Sequence, residues 1–244
     1  MTRAPPLAEV FAALDASWPP AAAHRVGSET ARWIVREGRG AGSRVSAISP
    51  EGHDLAEGIE AAEARARDLG QAPIFRIRSG QEAIDAALAA RGYRIADPSV
   101  VLAAAVPGLA AGAVPMTGFA IWPPLAVMDD IWSECGIGPA RRAVMARAPG
   151  ARAAVMARVR DRPAGVAFVA VSEGGIGVVH ALAVRAGLRR LGAAQAIMRH
   201  AAAFAAAEGA GHLALVVTAA NAPALALYAG LGFERIGNYH YRTR

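Results

Sequence analysis

Lysine is missing from this chain. All 26 residues in the Lys-plus-Arg count are arginine, set against 20 Asp and Glu in 244 residues, for a formal charge of +6. With alanine so abundant, the arginine bias reads as codon usage more than as selection for a basic surface. The arginines are scattered and not gathered on one helix face, so no nucleic-acid partner is expected. Cysteine is nearly absent too. Cys135 stands alone, which excludes an intrachain disulfide framework and a cysteine zinc site, and no metal is expected. That usage fits a reducing compartment, and a cytoplasmic location is the expectation. Residues 1–14 carry Pro5, Pro6 and Glu9 and lack the apolar core of a secretory signal. Residues 98–128 hold no charge at all, yet Pro107, Pro115, Pro123 and Pro124 with Gly108, Gly112 and Gly118 would break a spanning helix several times. They read as strand, linker, strand, and no membrane partner is expected.

What is present is ample apolar material, 54% of the residues, enough for one large or two small domains. Its organising stretch is residues 184–194, the crossing from a strand to a helix. Gly177-Val178-Val179-His180-Ala181-Leu182-Ala183 is short, apolar and β-branched, as a buried strand is. Ala194, Ile197, Ala201 and Phe204 then fall on one helix face. The crossing between them carries Arg189, Arg190 and Gly192 where the helix begins. Backbone N–H groups at a helix start have no intrahelical acceptor and the dipole favours negative charge, so this is an anion-binding arrangement.

The pattern Val184-x-Ala186-x-x-Arg189-Arg190-x-Gly192-x-Ala194 resembles the acetyl-CoA pyrophosphate loop of the GNAT N-acetyltransferase family, with Ala186 where proline is usual. A second motif, Asn221-x-x-Ala224-x-x-Leu227-Tyr228-x-x-Leu231-Gly232-Phe233, matches a later helix of the same family. The resemblance spans roughly residues 115–244. It implies a mixed α/β (α+β) fold with a mostly antiparallel central sheet flanked by helices. It also implies a strand that splays from its neighbour after Val184, with pantetheine against the backbone of Leu182, Ala183 and Val184. By the same resemblance, Arg189, Arg190, Leu191, Gly192, Ala193 and Ala194 hold the cofactor's phosphates. Acetyl-CoA is then the co-substrate.

Taken in order, residues 7–17 read as a helix stopped by Trp18-Pro19-Pro20. Residues 31–36 and 44–49 read as a hairpin, joined by Gly38-x-Gly40-x-Gly42. That glycine spacing is a flexible turn and not a phosphate loop, because no helix is expected directly after it. Helices are expected at 54–68 and 81–91, with strands at 73–78 and 100–105 and a linker at 108–116. Beyond it come a strand at 119–122, helices at 125–134 and 139–148, and a three-strand meander over 153–184.

The first half resembles a worn copy of the second. An offset of 140 residues lays Gly92-Tyr93 on Gly232-Phe233, Gln81 on Asn221 and Leu88 on Tyr228. The expected division is a degenerate GNAT-like domain at 1–112 and a catalytic domain at 113–244. In the copy, Glu51, Asp54 and Glu57 stand where phosphates would sit and would repel them. That half is expected to be structural, or to shape the acceptor pocket, without holding CoA.

Acetyl transfer to an amine needs the thioester held, its carbonyl polarised, the amine deprotonated and the sulfur protonated. The resemblance places Tyr228 as the acid on sulfur. His180 is the candidate base, sharing a face with Val178, Leu182 and Val184 by the period of two, with Glu134 and Glu173 as rivals. Asn221 reads as a helix cap with an incidental ligand contact. Trp122, Trp132, Tyr239 and His240 read as core or edge residues that could otherwise line the acceptor pocket. The expected activity is acetylation of a primary amine on a small molecule or amino acid by direct attack, with no enzyme-bound intermediate. Cys135 lies outside both motifs. A protein or peptide acetyltransferase and a non-catalytic CoA-binding module are the alternatives, and a homodimer is compatible with the sequence.

Overall fold

The computed structural model of the chain describes residues 4–244. They form two compact units that do not part at residue 112. One unit takes the chain up to Ser17, Val101–Val217 and Asn221–Ile236; the other takes Trp18–Val100, Thr218–Ala220 and Gly237–Arg244. The N-terminal helix therefore belongs with the C-terminal motifs, and the last strand runs from the first unit into the second.

The first unit opens with α1 (Leu7–Ser17), whose buried face is Val10, Phe11, Ala13, Leu14 and Ser17. Helix α5 (Val106–Ala110) runs into the first residues of the linker expected at 108–116. Pro107 lies in its first turn, where a missing N–H costs nothing. The expected three-strand meander is formed by β7 (Arg152–Val159), β8 (Arg162–Val171) and β9 (Ile176–Val184), and β6 (Gly118–Ile121) joins it antiparallel to β7. Helices α6 (Ala126–Glu134) and α7 (Pro139–Arg147) lie between β6 and β7 in the chain. Arg160 and Asp161 both take positive φ, 51° and 58°, the geometry that matches a two-residue hairpin turn to the strand twist. Helix α8 (Ala193–Ala207), strand β10 (His212–Thr218), helix α9 (Ala222–Gly230) and the start of β11 (Glu234–Thr243) complete the unit.

The two faces of this sheet can be assigned from contacts. A Cβ placed on Gly165 would meet Ile197 Cδ1 of α8 at 3.1 Å, so Gly165 faces α8. Its neighbours Val166 and Phe168 then face away, because alternate strand residues point to opposite sides. Helices α1 and α6 lie on β8 and β9 as well. All of Ile131, Trp132, Phe168, Val178 and Ile197 are fully buried in this core.

In the second unit the expected hairpin of 31–36 with 44–49 is reduced to a two-residue antiparallel pairing at Ser49–Pro50. Strand β2 (Arg32–Arg36) pairs with β1 (Ala23–Gly27), and with β3 (Ser49–Pro50) on its other side. Residues Ser43–Ser46 are a short helix, α2, directly after the glycine turn. A helix therefore does follow the glycines, contrary to expectation, but it is a single turn of four residues, with Val45 and Ser46 both donating to Gly42 O. Helix α3 (Ile59–Asp68) starts later than expected because Asp54 turns away. Its carboxylate accepts from the N–H groups of Ala83 and Ile84 at 2.9 Å and so caps α4 (Glu82–Ala90). Strand β4 (Phe75–Arg78) pairs antiparallel with the end of β11. Strand β5 (Arg94–Ala105) runs on into the first unit. Trp33, Phe75 and Tyr93 form the core here through edge-to-face pairs, with centroids 5.6 and 5.3 Å apart.

Several elements of the two units correspond at the 140-residue offset. Helix α4 covers 82–90 and α9 covers 222–230. Each ends in the same hydrogen-bonded wrap: Gly92 donates to Ala89 O and Tyr93 to Leu88 O, as Gly232 does to Ala229 O and Phe233 to Tyr228 O. Gly92 and Gly232 both stand at positive φ, 83° and 80°.

Candidate active site

Strands β9 and β10 are parallel and paired over only four residues, Ile176–Val179 against His212–Leu215. Beyond that point β9 continues to Val184 unpaired with β10, so the separation begins before Val184, at the middle of the strand. The cause is local. Ala181 takes φ 52°, a conformation an L-residue adopts at a cost of roughly 1–2 kcal/mol. The pairing with β8 shifts there, from Phe168 opposite His180 to Val166 opposite Ala183. This is a β-bulge, and bulges bend a strand and re-aim its side chains. Trp132 holds it: the indole Nε1 donates to Ala181 O at 2.9 Å.

The bulge corrects the face assignment made from the period of two. Phe168 and Val166 share a face, so their partners His180 and Ala183 share it as well. Leu182 and Val184 lie on the opposite face from His180. His180 is 5% exposed, stacks on Phe168 with centroids 6.4 Å apart, and its Nε2 lies 2.8 Å from Ser17 Oγ.

A cleft of about 810 Å³ opens where the two strands part. Its walls include Leu182, Ala183 and Val184 of β9 and Arg189, Arg190, Gly192, Ala193 and Ala194 of the crossing, with Asn221 at the head of α9. The structure thus brings together nine of the ten residues expected to bind cofactor. Leu191 is outside the wall and 40% exposed. Tyr228 is not in the wall either; it is 7% exposed and packs on Phe233 at 5.7 Å. The cleft also takes in Cys135, whose Sγ lies 3.8 Å from Val184 O, and Leu227 of α9. Cys135 fell outside both motifs and nothing in its sequence context pointed here. Ala224 and Leu227 do belong to the second motif, three apart on one helix face.

The anion end of the cleft is built by the backbone. Gly192 caps α8 at φ 86° with no side-chain hydrogen bond, and the first intrahelical bond is Ala196 N–H to Gly192 O at 3.0 Å. The N–H groups of Ala193, Ala194 and Gln195 precede it and have no acceptor within the helix. A Cβ at Gly192 would meet nothing within 4 Å, so the approach is open. Arg190 stands at φ 62° and Arg189 Nε donates to Val184 O at 3.3 Å, with both side chains at the surface. Asn221 is the cap of α9, its Oδ1 accepting from Ala224 N–H at 3.2 Å. The residues present therefore fit a diphosphate followed by an extended arm. The helix start in the second unit does not. Gly58 caps α3 at φ 81°, but its Cβ position lies 2.9 Å from Trp33 Nε1, which donates to Glu57 O at 2.7 Å. An indole fills the space that is open at Gly192.

Of the rival bases, Glu134 is engaged elsewhere. Arg185 donates to both its oxygens, at 2.8 and 2.7 Å, which holds the carboxyl below its usual range. Glu173 is exposed on the β8–β9 turn and lines a different pocket. Trp122 packs on Phe168, Tyr239 on Tyr241, and His240 bonds Asp85; with Trp132 they line neither cavity. His200 Nε2 is tied to Thr117 Oγ1 at 3.0 Å. No helix among the described residues is long and apolar enough to cross a membrane.

Residues 123–233 match the model of the acetyltransferase (GNAT) family. This part of the chain belongs to that family. The GNAT match takes in the bulge, the cleft and both motifs. Over nearly its whole length the chain is similar to the solved GCN5-related N-acetyltransferase from Kribbella flavida, with TM-score 0.74, 16% identity and coverage of 98% of this chain and 96% of that one. It is also similar to a tandem GNAT protein from the clavulanic acid biosynthesis pathway, with TM-score 0.62, 18% identity and coverage of 100% and 89%. Among curated proteins it is 50% identical to the streptothricin acetyltransferase of Streptomyces lavendulae over 54 residues, which are 22% of this chain and 29% of that protein. The fold is the mixed GNAT fold, with a large, mostly antiparallel sheet flanked by helices.

Proposed function

We propose that this chain transfers an acetyl group from acetyl-CoA to a primary amine of a small molecule. The observation that carries the reading is the cleft opened by the Ala181 bulge and closed at one end by the bare helix start at Gly192, within residues matched to the GNAT family. When bound there, acetyl-CoA supplies an activated thioester. The first N–H groups of α8, with Arg189 and Arg190, take its diphosphate. The β9 backbone at Leu182 to Val184, freed from β10, orients the arm along the strand.

Overall, an ammonium and a thioester become an amide, a thiol and one proton. His180 takes the proton from the amine, and Tyr228 hands one to the departing sulfur. Tyr228 is one residue beyond Leu227 of the cleft wall, and a buried phenol donates well to an acceptor gaining charge. The second unit acts as scaffold and holds no CoA, since Trp33 occupies its helix start. The streptothricin acetyltransferase match, short as it is, points to a small-molecule substrate.

The test is release of free thiol from acetyl-CoA by the purified chain against a panel of small amines and of lysine-containing peptides. Turnover with a small amine at least tenfold above any peptide supports the reading. Turnover confined to peptides, or acetyl-CoA binding without turnover on any acceptor, contradicts it.

A further inference from the structure

A second pocket, of about 470 Å³, lies in the first unit beneath α1, against the end of β8, the β8–β9 turn and the start of β9. We propose that it holds the acceptor, and that the acceptor is a compact aliphatic amine carrying a second positive charge. The inference rests on the acetyltransferase reading and assigns the substrate class of the same site.

The pocket exists because of small residues. Ala12, Ala13 and Ala16 fall on the face of α1 that borders it, and Ala170 lies across from them on β8. Ile176 adds apolar surface, which suits a methylene chain. At the end of α1, Ser17 forms part of the wall and is 3% exposed. Its Oγ lies 2.8 Å from His180 Nε2 and 3.3 Å from Leu14 O. His180 directly precedes the bulged Ala181, and Leu182 beyond it lines the CoA cleft. A buried Ser–His pair thus links this pocket to the stretch of β9 where the thioester carbonyl would sit.

The charge of the pocket is opposite to that of the chain. Glu9 and Glu173 line it, and no arginine does, although the chain has 26 basic residues and a net charge of +6. Among the described residues neither carboxylate has an ion-pair partner. Two unpaired carboxylates around a largely apolar hollow favour a cation with an aliphatic body, and they repel the phosphates of CoA. One charged end of such a molecule sits between Glu9 and Glu173 while the other nitrogen reaches Ser17. That nitrogen gives one proton through the Ser17 hydroxyl to His180. Its lone pair then forms the C–N bond as the C–S bond breaks, and the second nitrogen proton balances the one gained by sulfur.

The experiment compares 1,4-diaminobutane with butylamine on the full chain, its Glu9→Gln/Glu173→Gln variant and Ala16→Leu, which fills the pocket from an exposed position. Calorimetry reads diamine binding directly, without need of turnover, and a separate titration reads acetyl-CoA. The wild-type chain should prefer the diamine at least tenfold in kcat/KM and bind it. Both variants should lose that binding and raise KM for the diamine tenfold or more, with acetyl-CoA affinity unchanged. Equal use of the two amines, or diamine binding unaltered in both variants, overturns the assignment. If acetyl-CoA fails to bind the wild-type chain, the acetyltransferase reading falls; diamine binding lost in both variants would still establish the pocket as a cation site.

Discussion

The indole of Trp132 hydrogen-bonds the carbonyl of Ala181 at 2.9 Å, and Ala181 is the residue at which β9 leaves its regular path. A helix side chain therefore holds the kink from which the cleft opens.

Replacing Trp132 by Phe keeps the ring and removes the donor. The part-buried Ala181 carbonyl then loses its donor, which costs about 0.5–1.5 kcal/mol. Urea denaturation should show a lower midpoint at unchanged slope, and acetyl-CoA affinity should fall as the bulge loosens. Wild-type values for both would mean that the hydrogen bond is incidental.

In the second unit, Arg242 clasps both oxygens of Asp85 at 2.7 and 2.8 Å, and His240 adds a contact at 2.8 Å. The Arg242 hydrogen bonds, helped by the one from His240 and opposed by burial, hold the Asp85 carboxyl below its ordinary value. A depressed carboxylate contributes stability above its unfolded value and loses it as pH falls through the folded one. Asp85→Asn should therefore be less stable than wild type at neutral pH. The gap should close as pH drops below the ordinary aspartate range, near 4. Thermal melts from pH 7 to pH 3 measure it, and a gap that stays constant would contradict the clasp.

Glu134 is bound by Arg185, so it is not free to take a proton from an amine. Glu134→Gln should leave the acidic limb of the pH–rate profile where it is, whereas His180→Ala should remove that limb. A profile that moves with Glu134 and ignores His180 would reverse the assignment of the base.

Tyr228→Phe should lower kcat by on the order of a hundredfold, the scale of general acid catalysis, with little change in acetyl-CoA affinity. Single-turnover and equilibrium titrations separate the two. Unchanged kcat would leave Tyr228 as a packing residue against Phe233.

Much of this arrangement is legible in the residues. The Gly192 loop and the Asn221 helix are local patterns whose spacing survives folding. The 140-residue correspondence likewise shows in Gly92-Tyr93 and Gly232-Phe233, because a helix-ending wrap needs those types. The bulge is not legible. A strict alternation over residues 176–184 places His180 with Leu182, and only the pairing with β8 reveals the extra residue at Ala181. Nor does the sequence around Ser17 announce a partner 163 positions away. The hairpin expected at 31–49 shrank to the pairing with Ser49–Pro50 for a related reason: Arg32–Arg36 alternates correctly, but its longer partner is Ala23–Gly27, a strand with no apolar run to mark it.

The most direct test of the central claim is a calorimetric titration of the full chain with acetyl-CoA, beside Gly192→Asp. Gly192 stands at φ 86°, where a side chain is strained, so thermal melts beside the titration check that the variant folds while a carboxylate enters the open approach to α8. One site per chain is predicted, lost or weakened at least a hundredfold in the variant. No binding, two equivalent sites per chain, or an affinity indifferent to Gly192→Asp would contradict the account.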